Sequence, residues 1–187
     1  MTGTLRESNR RSIILIGFRG SGKSAVGREL AALIGGDYVD TDNLVAARSG
    51  KSIAQIFDEE GEGGFRRRER EAIAAVVAQR PAVIGVGGGA ILDAENVTVL
   101  RSVGVVVWLT APADVLWQRI SSDPDTDSTR PALSKCGGID EVIHLLAERE
   151  PKYREAADLS IETSNSRPAE IAAEIARRCG IAPRNDR

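Results

Sequence analysis

Histidine is all but missing from this sequence: His144 is the single one among 187 residues, beside two cysteines, Cys136 and Cys179, and one methionine. Two thiols cannot make a disulfide framework, and one imidazole with two unclustered cysteines offers no zinc ligand set. Positive charge is not in surplus either, since 25 lysines and arginines stand against 27 aspartates and glutamates, for a formal net charge of −2. A protein that neutralises nucleic-acid phosphates presents a net basic domain, so no nucleic-acid partner is expected. Apolar runs such as AIAAVVA at 72–78 fall far short of the roughly 20 residues needed to span a bilayer, so no membrane partner is expected. RRSIILIGF near the start looks like the opening of a twin-arginine signal, but Arg19 and Lys23 interrupt it too early. These absences leave a cytoplasmic, monomeric protein forming one domain over 1–187, with frayed ends at 1–11 and 182–187.

What is present is an alternation. Hydrophobic content of 42% is ample for a core. Short apolar runs read as buried strands: SIILIG at 12–17, DYVDTD ending near Asp40, PAVIGVGGG, GVVVWLT and, more weakly, ADLSIET. Helical patterns lie between them, at 23–34, 43–49, 52–60, 65–80, 94–102, 113–121, 139–153 and 169–179. Such βαβ alternation predicts an α/β fold in three layers, a parallel sheet with helices on both faces. One stretch, 121–138, has no period, two prolines and many small polar residues, and is expected to form a mobile lid.

GFRGSGKS matches the pattern G-x-x-x-x-G-K-[ST], with Gly17, Gly22, Lys23 and Ser24. It falls between an apolar strand and an amphipathic helix, the context that gives the pattern its meaning. Backbone N–H groups over Gly20, Ser21, Gly22, Lys23, Ser24 and Ala25 can turn inward around the phosphates of ATP, at the positive end of the helix. Lys23 would reach the outer phosphates, and the Ser24 hydroxyl would ligate Mg²⁺. No N-K-x-D for reading guanine occurs, and the chain is short for a translocating ATPase, so a small-molecule kinase fits best.

DTD places Asp40 and Asp42 at a strand's carboxyl end, where open α/β sheets carry ligands. Asp40 would meet Mg²⁺ through water. Asp42 could bind or deprotonate an acceptor hydroxyl, cap the next helix, or do both. In GFRRRERE at 64–71, a helical wheel gathers Phe65, Ala72, Ile73, Val76 and Val77 on one stripe with Glu69 at its centre. A carboxylate facing a core is costly unless paired, and Arg66 lies about 60° away on the same wheel. That pair either aims Arg66 at a substrate carboxylate or is purely structural. Arg67, Arg68 and Arg70 are expected to be solvated. Gly87, Gly88 and Gly89 remove every side chain where another molecule could approach the strand end.

The P-loop, DTD, F-R-x-x-E, GGG, RPAL and REPKY occur in the order and spacing of shikimate kinases, and the chain resembles that family from about Ile13 to Cys179. The resemblance implies a five-stranded parallel sheet of the nucleoside-monophosphate-kinase type and ATP-dependent phosphorylation of the 3-hydroxyl of shikimate. It implies Asp42, Arg66, Gly88 and Arg149 as shikimate contacts, with Gly87 and Gly89 beside them. Lys23, Asp42 and the lid residue Arg130 would be catalytic, and Arg119 and Pro168 would lie at the adenine. Two positions depart from the pattern: the lid has Ala132 where the family has leucine, and REPKY has Lys152 where the family has leucine. A kinase for another small polyol acid, and a nucleotide-dependent binding protein without turnover, are the alternatives.

Overall fold

The structure, a computed structural model, describes residues 11–123 and 138–182. The expected lid arginine Arg130, the departure at Ala132 and most of the predicted lid lie outside the described residues, as do the outer parts of both predicted frayed ends.

Five parallel strands form one sheet in the order β2-β3-β1-β4-β5, with β1 Ser12–Ile16 at its centre. β1 is buried along its whole length. Ile13 and Leu15 face one apolar layer and Ile14 and Ile16 the other, so the strand reads as a continuous apolar run. The flanking strands are β2 Tyr38–Asp40, β3 Val83–Gly85, β4 Gly104–Thr110 and β5 Leu159–Glu162. The weakly signalled fifth strand therefore exists, as an edge.

Helix α1 Lys23–Ile34 covers one face through Val26, Leu30 and Ala31. The last helix, α7 Pro168–Arg178, packs beside it through Ile171 and Ile175. On the other face lie α3 Ile53–Gln79, α4 Ala94–Val103 and α6 Ile139–Ala156, with Ile73, Val76, Leu100 and Tyr153 in the core. Helix α5 Ala113–Ser121 meets α6 over Phe18 of the P-loop. Among the described residues no helix is long and apolar enough to cross a membrane.

Three elements differ from the sequence expectation. Helix α2 Thr41–Ser49 starts two residues earlier than its apolar pattern suggests, because the side chain of Asp40 accepts the N–H of Asp42 at 3.0 Å and caps it. The two helices expected at 52–60 and 65–80 run together as α3, broken at Gly61, whose φ of 67° and ψ of −176° no helix contains. Only 83–85 of PAVIGVGGG is strand; beyond the loop, Ala90–Leu92 forms a short 3₁₀ turn.

Candidate active site

The turn from β1 into α1 is held open by glycines at positive φ: Gly17 at 148°, Gly20 at 80° and Gly22 at 88°. A Cβ on Gly17 would stand 2.5 Å from the Leu109 carbonyl oxygen, so the loop seats against β4 as only glycine allows. Lys23 Nζ donates to the carbonyls of Gly17 at 2.8 Å and Phe18 at 2.9 Å, which folds the lysine over its own loop. A cleft of about 890 Å³ opens here, lined by Gly20, Gly22, Lys23, Ser24 and Ala25 and, on its far walls, by Asp40, Asp42, Gly88 and Arg119.

Ser21 and Pro168 do not line this cleft with their side chains. The Ser21 side chain is buried beneath the loop, and Pro168 opens α7 at its first position, where its missing N–H costs nothing. Arg119 does line the cleft, and its guanidinium also ties two loops together. Nη1 donates to the Gly20 carbonyl at 3.2 Å and to Thr163 Oγ1 at 3.0 Å, and Nη2 to the Thr163 carbonyl at 2.7 Å.

Asp40 is held from several sides. Oδ1 caps α2, while Oδ2 accepts from Ser24 Oγ at 3.1 Å and from the Tyr38 hydroxyl at 3.0 Å. Burial pushes the Tyr38 phenol well above its ordinary pKa, and the Asp40 charge adds to this, so Tyr38 stays a donor. Ser24 thus spends its proton on Asp40 and keeps its lone pairs. One hydroxyl and one carboxylate suit Mg²⁺, which prefers oxygen and keeps waters and phosphate oxygens in its shell. Among the described residues no group of three or more His, Cys, Asp or Glu forms a cage for any other metal.

A second cleft of about 320 Å³ adjoins the first, and both are lined by Asp42, Gly88, Arg19 and Ile53. Its walls carry Arg66, Arg149 and Glu69. The helix sets Glu69 against Arg66 as its periodicity predicts: Glu69 is 1% exposed, and Arg66 Nη1 donates to its Oε2 at 2.8 Å. Burial raises the Glu69 pKa, and the Arg66 charge opposes that rise without cancelling it. For Arg66 burial works against the charge, but Glu69 and Glu62 outweigh it and the net shift is upward. Arg66 Nη2 donates to Glu62 at 3.2 Å, a second partner on the cleft wall. Arg149 lies 5.7 Å from the Phe18 ring centroid, and the Tyr153 hydroxyl donates to the Gly88 carbonyl.

Arg67 and Arg70 are exposed, as the helical wheel expects, and Arg68 is half-buried; all three also hold carboxylates. Arg67 and Arg68 both hold Glu60, Arg68 through Nε and Nη2 at 3.0 and 2.8 Å, and Arg70 holds Asp93 at 3.1 Å. On an unbroken helix Glu60 would lie about 10–12 Å along the axis from Arg67 and Arg68; the break at Gly61 brings it within reach of both. The three adjacent glycines do not all clear space for another molecule. A Cβ on Gly87 would stand 2.6 Å from Asp42 Oδ1 and 2.8 Å from Glu69 Oε1, and one on Gly89 2.6 Å from Arg66 Nη2. Those two glycines make room for the protein's own side chains. At Gly88 nothing comes nearer than 3.4 Å, and it is the glycine of the three that lines both clefts.

Sequence reasoning missed Arg19, Phe18 and Tyr38. Arg19 and Phe18 sit at the variable positions of the P-loop pattern, and Tyr38 read only as an apolar strand residue.

The chain is similar over most of its length to shikimate kinases. The shikimate kinase family model matches residues 19–180. A shikimate kinase of Syntrophus aciditrophicus is 42% identical over 183 residues, covering 94% of each chain. One of Symbiobacterium thermophilum is 43% identical over 164 residues, covering 88% of this chain and 93% of its own. Among solved structures, the shikimate kinase from Acinetobacter baumannii in complex with shikimate matches with a TM-score of 0.83 at 37% identity, over 90% of this chain and 92% of that one.

Proposed function

The chain belongs to the shikimate kinase family, and on that premise we propose how its two clefts divide the reaction. The enzyme transfers the γ-phosphoryl group of ATP to the 3-hydroxyl of shikimate, giving shikimate 3-phosphate and ADP in chorismate biosynthesis. The observation that carries the reading is the junction of the clefts at Asp42 and Gly88, between the P-loop and the paired Arg66.

In this reading the backbone of 20–25 receives the phosphates, and Lys23 neutralises charge on the outer ones. Arg119 lies at the adenine side. Pro168, also implied there by the family resemblance, does not line the cleft. Ser24 would hold Mg²⁺ directly and Asp40 through water; when bound, the ion supplies charge neutralisation on the phosphate oxygens. Arg66 and Arg149 take the shikimate carboxylate. The rigid fork of Arg66, one nitrogen fixed by Glu69, suits bidentate capture. Asp42 accepts the proton of the attacking hydroxyl or orients it. Gly88 lets the sugar-like ring approach the backbone, with Gly87 and Gly89 shaping the wall behind. Arg130 is assigned the role of a charge that joins the phosphates during transfer. Catalysis is then mostly positioning and electrostatics.

The protein is further proposed to act as a cytoplasmic monomer, one catalytic unit over 1–187, with no nucleic-acid or membrane partner. A coupled ADP-release assay on purified protein tests the core of this. Turnover with shikimate and Mg²⁺·ATP is expected; turnover with gluconate but none with shikimate would overturn it.

A further inference from the structure

Tyr38 has no part in the reading above, yet two other elements are cut away to admit it. Its ring lies in a slot between α1 and β3. A Cβ on Gly27 would stand 2.3 Å from the Tyr38 ring carbon Cε2, and one on Gly85 2.3 Å from the hydroxyl oxygen. Gly27 sits inside α1, where glycine costs about 0.5–1 kcal/mol relative to alanine. Packing accounts for the ring but not for the hydroxyl, since phenylalanine would fill the same apolar slot without bringing a polar atom under cover.

The hydroxyl ends at Asp40 Oδ2, the oxygen that also takes the Ser24 proton. With Oδ1 capping α2, the carboxylate is fixed by three donors from three parts of the chain, α1, β2 and α2. Ser24 alone would leave Oδ2 free to swing with a flexible partner. A phenol rigidly seated between two glycines does not swing.

We propose that Tyr38 is a positioning residue for the metal site: it fixes the Asp40 carboxylate so that Ser24 points its proton at Asp40 and its lone pairs outward. The proposal rests on the P-loop reading of the previous section and adds to it a residue that neither ligates the metal nor touches a substrate. Groups that orient metal ligands in this indirect way commonly change metal affinity about 10- to 100-fold when removed.

Tyr38→Phe removes one oxygen and keeps the slot filled. Mn²⁺ binding to the ADP complex, read from the electron paramagnetic resonance signal of free Mn²⁺, needs no turnover. The affinity is expected to fall about ten-fold in Tyr38→Phe. In the kinase assay the Mg²⁺ midpoint should rise in step, kcat at saturating Mg²⁺ should recover, and the shikimate KM should stay put. Equal Mn²⁺ affinities in the two proteins would overturn the role given to Tyr38, whatever happens to the melting temperature. Failure of the wild type to take up Mn²⁺ with ADP would instead overturn the P-loop reading, and this one with it. Should Tyr38→Phe not fold, the tyrosine hydrogen-bond bands in the ultraviolet resonance Raman spectrum of Tyr153→Phe, which keeps Tyr38 as its one tyrosine, decide. They should shift when Mg²⁺ joins the ADP complex, and unshifted bands would overturn the proposal.

Discussion

Gly89 has no side chain because the guanidinium of Arg66 stands where one would go: a Cβ there would lie 2.6 Å from Nη2 and 2.7 Å from Nη1. The loop after β3 and the middle of α3 are thereby fitted to each other at the wall of the acceptor cleft. Gly89→Ala is a selective probe of that fit. The obstructing group is the far end of a long side chain, so the fold should absorb the methyl with little loss of melting temperature. The guanidinium, however, would have to leave its place. The shikimate KM is expected to rise about ten-fold, the worth of one charged hydrogen bond, with the ATP KM unchanged. A large loss of stability with normal kinetics would show that Gly89 serves the backbone and not Arg66.

Arg66→Lys keeps the charge and loses the planar fork, so it should raise the shikimate KM by about ten-fold or more. Glu69→Gln should resemble it, because the 2.8 Å contact that aims Arg66 is weakened. Arg67→Ala and Arg68→Ala should leave both KM values alone. Their shared partner Glu60 lines neither cleft, so losing either pair alters no wall of the acceptor site. Equal kinetic effects from all three arginines would replace a single binding residue with a diffuse basic field.

How far the sequence carries can be read from these same residues. The parallel sheet was legible because β1 is apolar on both faces, and the Arg66–Glu69 pair because helical periodicity put a carboxylate in an apolar stripe. What stayed hidden depended on contacts between distant segments. Gly89 answers to Arg66 and Gly87 to Asp42, and no local pattern encodes either relation. Tyr38 looked like ordinary strand filler because its meaning lies in a hydroxyl seated between Gly27 and Gly85. The partner of Arg67 and Arg68 stayed hidden for a similar reason: Glu60 lies ahead of the break at Gly61, outside the stretch 65–78 that the wheel covers.

Gly61 itself yields a prediction. Its φ of 67° with ψ of −176° belongs to a region that is essentially glycine-only, and occupying it costs other residues about 1–3 kcal/mol. A Cβ there meets nothing, so any cost of Gly61→Ala comes from the backbone and not from crowding. Relief of that strain would straighten α3 and move Phe57, which lines the acceptor cleft and not the nucleotide cleft. Gly61→Ala should lower the melting temperature and raise the shikimate KM while sparing the binding of ADP. Loss of both ligands together would point to general unfolding.

The buried charge on Glu69 sets a pH dependence whose sign can be worked out. Its carboxyl pKa is raised in the folded protein, chiefly by burial and against the pull of Arg66. The folded state therefore binds the Glu69 proton more tightly than the unfolded chain does. Its contribution is most favourable at pH below the ordinary carboxyl range, where both states are protonated, and falls away as pH rises through the folded pKa. Glutamine at this position is neutral at every pH. The stability of Glu69→Gln relative to the wild type should thus improve as pH climbs from the acid side through that upshifted pKa, then level off. Denaturant melts of both proteins across pH 4 to 8, taken with enough salt to quiet the surface pairs, measure the difference. A difference that moved the other way would mean that Arg66 outweighs burial and holds Glu69 as the stronger acid. The arginine would then be fixed more firmly at neutral pH than the burial of its partner implies.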